Sequence, residues 1–297
     1  MEQEAIDKIT TAGKIAQELR RYARDLIKPG MKLLAIANAI DDKIVALGAR
    51  TAFPINLSIN EVAAHYTPSA TDTTLAHGLL KVDIGIQIDG YIADTAFTLD
   101  LEGTDLNKKL IAAAEAAVTA SVSAFSVGKK LTTIGKLIED AIALHGMTSI
   151  RNLSGHSIER FVVHAGWTVP NYDSGQTDVL EEGLYATEPF ATSGHGTVRD
   201  GAGSGIFRLD AVSAVRDTVA RSVLSYIQEE YKTLPFAGRW IHQKFGARGM
   251  LALRQLEQVG SVYQYPQLVE ASGGLVAQAE HTVLLLADGT KIITTKE

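Results

Sequence analysis

The stretch Lys81-Val-Asp-Ile-Gly-Ile-Gln-Ile-Asp-Gly-Tyr-Ile-Ala-Asp-Thr-Ala-Phe-Thr-Leu99 predicts a β-hairpin. Apolar residues alternate with other residues on both sides of Asp89-Gly90, and an Asp-Gly pair favours a two-residue hairpin turn because both residues tolerate positive φ. With this pair in the loop, Gly85 lies opposite Asp94. Asp83 and Asp94 are then diagonal neighbours on one face of the hairpin, with Cα atoms about 7–8 Å apart.

The two carboxylates on this face need a partner if the face is buried. The other residues of the face are Gly, Ala and Ile, and burying unpaired charge among such residues is costly. Two carboxylates at this spacing can bind a pair of cations about 3.5–4 Å apart. A solvated hairpin face with two ordinary acids accounts for the stretch equally well, so the rest of the chain must decide.

The composition excludes several classes of protein. Of the 297 residues, 46% are hydrophobic and 21% are charged, which is typical of a globular chain with a sizeable core. Because there is no cysteine, thiol catalysis and Cys-ligated metals are excluded, and His, Asp and Glu remain as strong metal ligands. A net charge of −6 without a Lys/Arg-rich run argues against a nucleic-acid partner.

Neither a membrane span nor a signal peptide is predicted. No apolar run approaches the roughly 18–20 residues that a span requires. The amino terminus, Met-Glu-Gln-Glu-Ala, is acidic and leads into an amphipathic segment instead of an apolar signal core. We therefore expect a cytoplasmic protein with no membrane partner.

An internal repeat relates two parts of the chain. The segment Gly30–Ile44 matches Gly128–Ile142 at Gly, Lys, Leu, Ile, Ile, Asp and Ile. Helical spacing of apolar residues predicts a helix before each copy, over Thr11–Ile27 and Ala112–Phe125. The match either is a chance similarity between amphipathic helices or indicates two similar halves with a site at the seam between them.

The remaining elements are predicted more coarsely. A strand is expected from Phe53 to Asn60, with shorter strand-like pieces at Arg160–Val163, Leu184–Phe190 and Leu275–Leu286. The Gly-rich stretch Gly194–Gly205 is interpreted as a flexible connection. Helical spacing in Ala211–Tyr231 and Met250–Val259 predicts a helical insert. We expect one catalytic domain over residues 1–297, with a helical insert subdomain over residues 206–262.

Five further stretches place His or Glu among small or apolar neighbours. Each of them alone is compatible with a hydrogen-bonded structural residue. Together with the hairpin, they supply two Asp, two Glu and a neutral imidazole, a set able to hold two divalent cations and a bridging water. Two more histidines are left to bind substrate or to donate to a developing oxyanion. The five stretches are Ala63-Ala-His65-Tyr-Thr-Pro68, Asn152-Leu-Ser-Gly-His156, Val162-Val-His164-Ala-Gly166, Ala186-Thr-Glu188-Pro-Phe190 and Ala277-Gln-Ala-Glu280-His281.

In this order, the hairpin and the five stretches resemble the methionine aminopeptidases, in particular the type 2 enzymes of archaeal form. The resemblance covers essentially the whole chain. The most specific motifs are Asn60-Glu-Val-Ala-Ala-His65-Tyr-Thr-Pro68, Asp89-Gly-Tyr-Ile-Ala-Asp94-Thr-Ala, Asn152-Leu-Ser-Gly-His156-Ser-Ile, Glu188-Pro-Phe-Ala-Thr192 and Ala277-Gln-Ala-Glu280-His-Thr. The resemblance implies an α/β (α+β) protein with the pita-bread fold, in which two pseudo-symmetric halves and outer helices surround a curved antiparallel sheet.

The resemblance also implies a dinuclear metal site. Asp83 would chelate one metal ion, and Asp94 and Glu280 would bridge the two ions. His156 and Glu188 would complete the second site. The cofactors would be two divalent ions drawn from Co, Mn, Fe, Ni and Zn.

Catalytic and substrate-binding roles follow from the same resemblance. Glu188 would shuttle the proton of the attacking hydroxide. His65 and His164 would contact the substrate and stabilise the tetrahedral intermediate. The methionine pocket would be lined by Phe53, Val163 and Tyr265.

The expected activity is metal-dependent removal of the initiator methionine from nascent proteins and peptides with a small second residue. A metal-bridging hydroxide would attack the first peptide bond, and the enzyme would act as a monomer, near the ribosome. One alternative is an X-Pro dipeptidase or aminopeptidase P-like enzyme of the same fold, against which the segment Ala63–Pro68 and the position of the insert argue. Another is a catalytically inactive adaptor relative that binds protein or RNA, against which the full ligand set and the lack of a basic surface argue.

Overall fold

The computed structural model describes residues 1–297. It contains six helices: α1 (Gln3–Leu26), α2 (Leu33–Ala46), α3 (Asp105–Ala124), α4 (Leu131–Ala143), α5 (Thr218–Glu230) and α6 (Gly238–Gln258). None of these helices is both long enough and apolar enough to cross a membrane. The sixteen strands are β1 (Arg50–Thr51), β2 (Asn56–Ile59), β3 (Val62–Ala64), β4 (Leu79–Ile88), β5 (Tyr91–Asp100), β6 (Thr148–Ser149), β7 (Ser154–Ile158), β8 (Thr168–Pro170), β9 (Gly183–Thr187), β10 (Phe190–Thr192), β11 (Val198–Leu209), β12 (Phe236–Ala237), β13 (Val262–Glu270), β14 (Val276–Gln278), β15 (His281–Leu285) and β16 (Lys291–Ile293).

The strands form four antiparallel sheets. In the first sheet, β4 pairs with β1, β2 and β5, and in the second, β10 pairs with β14 and β6. The third has the order β12-β11-β13-β3, and the fourth has the order β16-β15-β9-β7-β8. Antiparallel pairs with helices over one face bury that face and leave the other free to line a cleft.

The predicted hairpin register is confirmed. Strands β4 and β5 pair with Gly85 opposite Asp94 and Asp83 opposite Ala96. The turn residues Asp89 and Gly90 have φ values of 51° and 87°, the left-handed conformation that a two-residue turn of this kind requires.

The internal repeat is a structural one. Gly30 N–H donates to the Ala76 carbonyl at 2.8 Å, and Gly128 N–H donates to the Leu180 carbonyl at the same distance. Both glycines have a φ of 80°. The helix that follows buries equivalent faces, built on Ile36, Ile40 and Ile44 in α2 and on Ile134, Ile138 and Ile142 in α4. A chance similarity would not reproduce the same backbone contacts, so these segments are equivalent units of two similar halves.

Two hydrophobic clusters of 20 buried residues each form the main core. The first joins α1 and α2 to β4 and β5, with Leu19, Ile40 and Phe97 among its members. The second joins α3 and α4 to β9 and β15, and it includes Ile138 and Val283. Burial of this apolar area, at about 25 cal/mol per Å², holds each helix pair against its sheet.

The expected insert, residues 206–262, contains a hydrophobic cluster of its own, with 11 buried residues from Phe207 to Val262. Its first helix begins at Thr218, later than Ala211 as predicted from spacing, because the Asp217 side chain caps it by accepting from Ala220 N–H at 2.8 Å. Its second helix begins earlier than predicted, at Gly238, and is interrupted at Gly246 (φ 64°). The boundaries of the insert subdomain stay a prediction.

Two predictions for local structure are wrong. The Gly-rich stretch Gly194–Gly205 is not a flexible connection throughout, because β11 begins at Val198 and pairs with β13. Glycine weakens the strand signal in a sequence, yet a Cβ at Gly203 would lie 2.6 Å from Gln264 Oε1 on the partner strand. Arg160–Val163 is also not a strand: Phe161 has a φ of 62°, and the regular strand nearby is β7, which ends at Ile158.

Candidate metal centre and active site

All ten residues that the sequence analysis singled out line one cavity of about 70 Å³. Five of them are the expected metal ligands Asp83, Asp94, His156, Glu188 and Glu280, two are His65 and His164, and three are Phe53, Val163 and Tyr265. The fold therefore brings together residues that are spread over more than two hundred positions of the chain. Their individual roles stay predictions.

Asp94 and Glu280 meet because β5 is hydrogen-bonded to the segment between β14 and β15. Asp94 N–H donates to Thr282 Oγ1 at 2.8 Å, and Thr282 Oγ1 donates back to the Asp94 carbonyl at 2.7 Å. Glu280 N–H donates to the Ala96 carbonyl at 3.0 Å. These contacts fix the two carboxylates relative to each other although the two residues are 186 positions apart in the chain.

The other ligand candidates come from the fourth sheet. His156 in β7 lies opposite Ala186 in β9, and Glu188 follows at the end of β9, where Pro189 interrupts the strand. His156 Nε2 lies 3.6 Å from Asp94 Oδ2 and 3.6 Å from Glu188 Oε1. The imidazole thus stands between a carboxylate of the hairpin and a carboxylate of the opposite half.

The donor set fits a divalent cation. One ligand atom each from Asp94, His156 and Glu280 lies within 4.8 Å of the other two, and all three residues are buried. Asp83 Oδ1, Asp94 Oδ1 and Glu280 Oε2 are buried without a hydrogen-bond partner, an arrangement that is costly for carboxylate oxygens unless a cation satisfies them. Carboxylate oxygens with one imidazole and no thiolate suit a hard or borderline divalent ion.

Without a cation, it is electrostatically unfavourable for all the carboxylates of this cavity to be ionised together. Burial raises the pKa of Asp94 to about 7. Burial also raises the pKa of Asp83, Glu188 and Glu280 well above the usual range, and repulsion from the neighbouring carboxylates adds to each shift. A cation reverses this preference because it stabilises the ionised form of every carboxylate around it.

The histidines of the cavity are neutral at physiological pH. Burial lowers the pKa of His156 to about 3 and that of His65 to about 4. Desolvation lowers the pKa of His164 as well, although the residue is partly accessible to solvent, and the positive charge of Arg208 adds to that shift. His156 Nδ1 lies 3.4 Å from the Ser157 carbonyl, which favours a proton on Nδ1 and leaves Nε2 as a lone-pair donor.

His65 has a left-handed backbone, with a φ of 64°. Outside glycine this conformation costs of order 1 kcal/mol, and it persists where the surrounding structure requires it. The His65 ring stands edge-on to Tyr265, with centroids 5.5 Å apart, and the His164 ring stands edge-on to His156 at 4.3 Å. Both rings therefore line the cavity at the carboxylate cluster and are held there by these aromatic contacts.

The apolar end of the cavity depends on a residue that the sequence analysis did not single out. Phe53 lies against Gly85, where a Cβ would come 2.1 Å from Phe53 Cε1. Gly85 thus gives the Phe53 ring its place against β4. In the sequence, the feature that could have drawn attention to Gly85 is its predicted position opposite Asp94 in the hairpin. Ile206 and Pro235 also line the cavity, and no motif in the sequence marks them.

Gln278 is the second residue that was missed. Its side-chain amide Nε2 donates to Glu188 Oε2 at 3.2 Å. Gln278 N–H also donates to Thr98 Oγ1 at 2.8 Å, and Thr98 Oγ1 donates to the Gln278 carbonyl at 2.7 Å. The buried amide therefore holds one oxygen of Glu188 in place, and its position two residues before Glu280 was the available signal.

Known proteins are similar to this chain in sequence and in structure. Residues 7–216 match the model of metallopeptidase family M24. The methionine aminopeptidase of Pyrococcus horikoshii is 46% identical over 294 residues, which cover 97% of this chain and 99% of the relative. Among solved structures, a thermophilic Arx1 matches with a TM-score of 0.85 at 15% identity, covering 99% of this chain and 91% of that one.

The methionine aminopeptidase of Thermotoga maritima matches with a TM-score of 0.70 at 21% identity, covering 100% of this chain and 98% of that one. At such low identities these structural similarities concern the fold alone. They confirm the predicted pita-bread arrangement of two halves around a curved antiparallel sheet.

Proposed function

Because the chain belongs to metallopeptidase family M24 and, within it, to the methionine aminopeptidases, we propose that it removes the initiator methionine from nascent proteins and peptides whose second residue is small. The observation that carries this proposal is the single cavity that combines five metal-ligand candidates, three of them buried, with apolar lining residues. The relatives that are 46% and 47% identical to this chain are named methionine aminopeptidases. The preference for a small second residue and the roles of individual residues are the proposed part.

Asp83, Asp94, His156, Glu188 and Glu280 would hold two divalent cations, drawn from Co, Mn, Fe, Ni and Zn. Three buried carboxylate oxygens without hydrogen-bond partners support this assignment. When bound, the ions supply a water of lowered pKa and polarise the carbonyl of the first peptide bond. The protein provides the carboxylates that neutralise the added charge and the strands that keep them in position.

Glu188 moves the proton. Its carboxylate lies beside His156, and burial raises its pKa, so it accepts a proton more readily than an exposed glutamate does. In the proposed sequence Glu188 takes the proton of the attacking water on a carboxylate oxygen. It then delivers the proton to the nitrogen of the departing peptide, which leaves as a neutral amine.

His65 and His164 bind the substrate carbonyl. A neutral imidazole carries one N–H donor, and both rings are held at the rim of the carboxylate cluster by their contacts with Tyr265 and His156. An N–H aimed at the carbonyl oxygen stabilises the charge that develops there as the bond is attacked. Removal of either donor should therefore affect the rate more than the metal content.

Enclosure of the cavity selects the substrate. Phe53, Val163 and Tyr265 would hold the methionine side chain, and Phe53 and Val163 are themselves buried. The cavity of about 70 Å³ is of a size that suits a single side chain. A free amine can lie near the acidic ligands, which accounts for cleavage after the first residue only.

We also propose a monomer that acts in the cytoplasm near the ribosome, where new N-termini emerge. The catalytic domain would extend over residues 1–297, and the separate hydrophobic cluster between Phe207 and Val262 supports an insert subdomain over residues 206–262. The relatives named methionine aminopeptidase do not favour an X-Pro enzyme. The presence of all five ligand candidates does not favour an inactive adaptor.

The proposal is tested by methionine release from the peptide Met-Ala-Ser. Metal-stripped protein is titrated with Mn, Co, Fe, Ni and Zn, and the N-acetylated peptide is the matched control. We expect metal-dependent release from the free peptide only. Release from neither peptide with any of the metals, despite bound ions, would contradict the proposal.

A further inference from the structure

A second cavity opens from the catalytic one. It has a volume of about 340 Å³ and shares five lining residues with the first cavity: Ala64, His65, His156, His164 and Glu188. Beyond these shared residues, it is lined mainly by uncharged side chains, among them Leu153, Trp167, Phe190 and Leu268. The two cavities are therefore adjacent, with the five shared residues at their boundary.

Trp167 is held at the outer end of this second cavity. Its carbonyl accepts from Ser157 N–H at 2.9 Å, and its own N–H donates to Ser157 Oγ at 3.1 Å. Ser157 follows the ligand candidate His156 directly, so the backbone of Trp167 is fixed relative to the metal centre. The residue is nevertheless 42% exposed, and it also borders a neighbouring depression of about 450 Å³ that contains Asp178.

The arrangement of the two cavities indicates the direction of a bound peptide. If the proposed function is correct, the methionine side chain occupies the first cavity and the first peptide bond lies at the five shared residues. The rest of the peptide would then continue along the second cavity. An extended chain advances about 3.3 Å per residue, so the third and fourth residues lie beyond the ligands, on the side of Trp167.

We propose that Trp167 forms a subsite for the substrate residues that follow the second one, and that this subsite favours aromatic side chains and disfavours acidic ones. This proposal rests on the proposed function. Aromatic side chains pair with an exposed indole ring at little cost in conformational entropy. An acidic side chain would contact apolar groups in the second cavity, and the carboxylate of Asp178 near its outer edge would repel it.

The first test compares kcat/KM for the metal-loaded enzyme on Met-Ala-Phe-Gly, Met-Ala-Gly-Phe, Met-Ala-Gly-Gly and Met-Ala-Asp-Gly. We expect the better of the two Phe peptides to exceed the Asp peptide by about threefold to tenfold, the range of a single aromatic contact. Trp167→Ala should abolish this preference mainly through KM, and Trp167→Phe should retain most of it. Leu144→Ala is the matched control, because Leu144 is an exposed apolar residue (87%) outside both cavities.

The second test measures binding without turnover. The chain has two tryptophans, and Trp240 donates its indole N–H to Asp41 in a different part of the molecule. In the metal-loaded Trp240→Phe variant, the emission therefore reports Trp167 alone. We expect Ala-Phe-Gly, which carries no methionine to release, to shift this emission at lower concentration than Ala-Asp-Gly does.

Two outcomes would overturn the subsite. One is an unchanged preference among the four peptides in Trp167→Ala, and the other is an equal loss of rate on all of them. An emission that responds identically to both product peptides also contradicts it. Failure of the proposed function looks different, because then no peptide releases methionine in any variant.

Discussion

Gln278 Nε2 donates a hydrogen bond to Glu188 Oε2 across 3.2 Å. Gln278 is itself held in place, because two further hydrogen bonds tie its backbone to Thr98 Oγ1 on the hairpin. One strand of the hairpin thus carries Asp94 and, four residues later, the anchor of the amide that orients Glu188. The carboxylate proposed to transfer the proton and the carboxylate proposed to bridge the metal ions are in this way fixed by the same strand.

The first prediction concerns this amide. Gln278→Ala should lower kcat by about 5- to 30-fold, because Glu188 loses a hydrogen bond of about 1–2 kcal/mol that keeps it aligned. Metal content, measured by plasma emission spectrometry, should stay close to that of the wild type. Gln278→Glu places a like charge beside Glu188 and should lower both kcat and metal content. Equal losses of metal in the two variants would mean that Gln278 has a merely structural role.

The second prediction concerns Glu188 itself. Glu188→Gln removes a ligand and the proton acceptor together, and we expect turnover to fall by at least about 10²- to 10⁴-fold. Metal affinity, measured by calorimetric titration, should weaken, whereas the circular dichroism spectrum should be unchanged. The exposed Glu257→Gln is the matched control. A near-wild-type rate would remove Glu188 from the mechanism.

The third prediction separates substrate-binding histidines from ligands. His65→Ala and His164→Ala should each lower kcat/KM by about 10²- to 10³-fold, as expected for the loss of one donor to a developing oxyanion. The number of metal ions per chain should not change in either variant. His156→Ala, by contrast, should reduce the number of bound ions. A large loss of metal from His65→Ala or His164→Ala would show that the ligand assignment is incorrect.

The fourth prediction tests the packing behind the methionine pocket. Gly85→Ala should lower the free energy of unfolding by about 1–3 kcal/mol and raise KM for methionyl peptides, because the new Cβ overlaps the Phe53 ring. Phe53→Ala removes the atoms that cause this overlap. In the double variant the penalty of Gly85→Ala should largely disappear, which a double-mutant cycle measures by urea unfolding. If the losses in free energy of unfolding from the two substitutions are additive, the strain does not come from overlap with the Phe53 ring.

The fifth prediction concerns stability and pH at a carboxylate far from the metal centre. Burial by itself would raise the pKa of Glu270, but hydrogen bonds from Gly274 N–H, from the Ser272 side chain and backbone and from His195 N–H outweigh it, so that the pKa of Glu270 is lowered. A lowered pKa in the folded state stabilises the fold above the ordinary value of 4.5, and this contribution is lost as the pH falls through the folded-state pKa.

Glu270→Gln should therefore lower the free energy of unfolding at pH 7 by about 1–3 kcal/mol. The difference from the wild type should shrink as the pH falls below about 4. Urea unfolding of the metal-stripped proteins between pH 7 and pH 3 measures this, with Glu257→Gln as the control. A difference that stays constant with pH would mean that charge on Glu270 is not what stabilises the chain around Gly194.

Much of the hairpin and its chemistry was predictable because it depends on neighbours in the sequence. The Asp-Gly turn and the alternation of apolar residues fixed the register that places Asp83 and Asp94 on one face. The repeat of Gly30–Ile44 at Gly128–Ile142 revealed the two halves, because equivalent contacts in each half require the same residue types. The surrounding motifs also indicated which Asp, Glu and His residues are the ligand candidates.

Other features had a weak local signal or none. Strand β11 is rich in glycine, and it is a strand because it pairs with β13 beside it. Gln278 and Gly85 are marked only by their positions relative to Glu280 and Asp94, since each owes its importance to one side chain elsewhere in the chain. The second cavity, beside Trp167, likewise exists only where segments from both halves meet.

The sequence by itself thus determined the hairpin, the two similar halves and the residue types of a carboxylate-rich metal site, because short-range spacing and side-chain chemistry specify these directly. Only the tertiary structure decided that Glu280 lies beside Asp94, that Gln278 reaches Glu188 and that a second cavity adjoins the first at the ligand candidates. The physical reason is that these relationships depend on hydrogen bonds and packing between residues far apart in the chain. Such contacts form only when the two halves fold against each other.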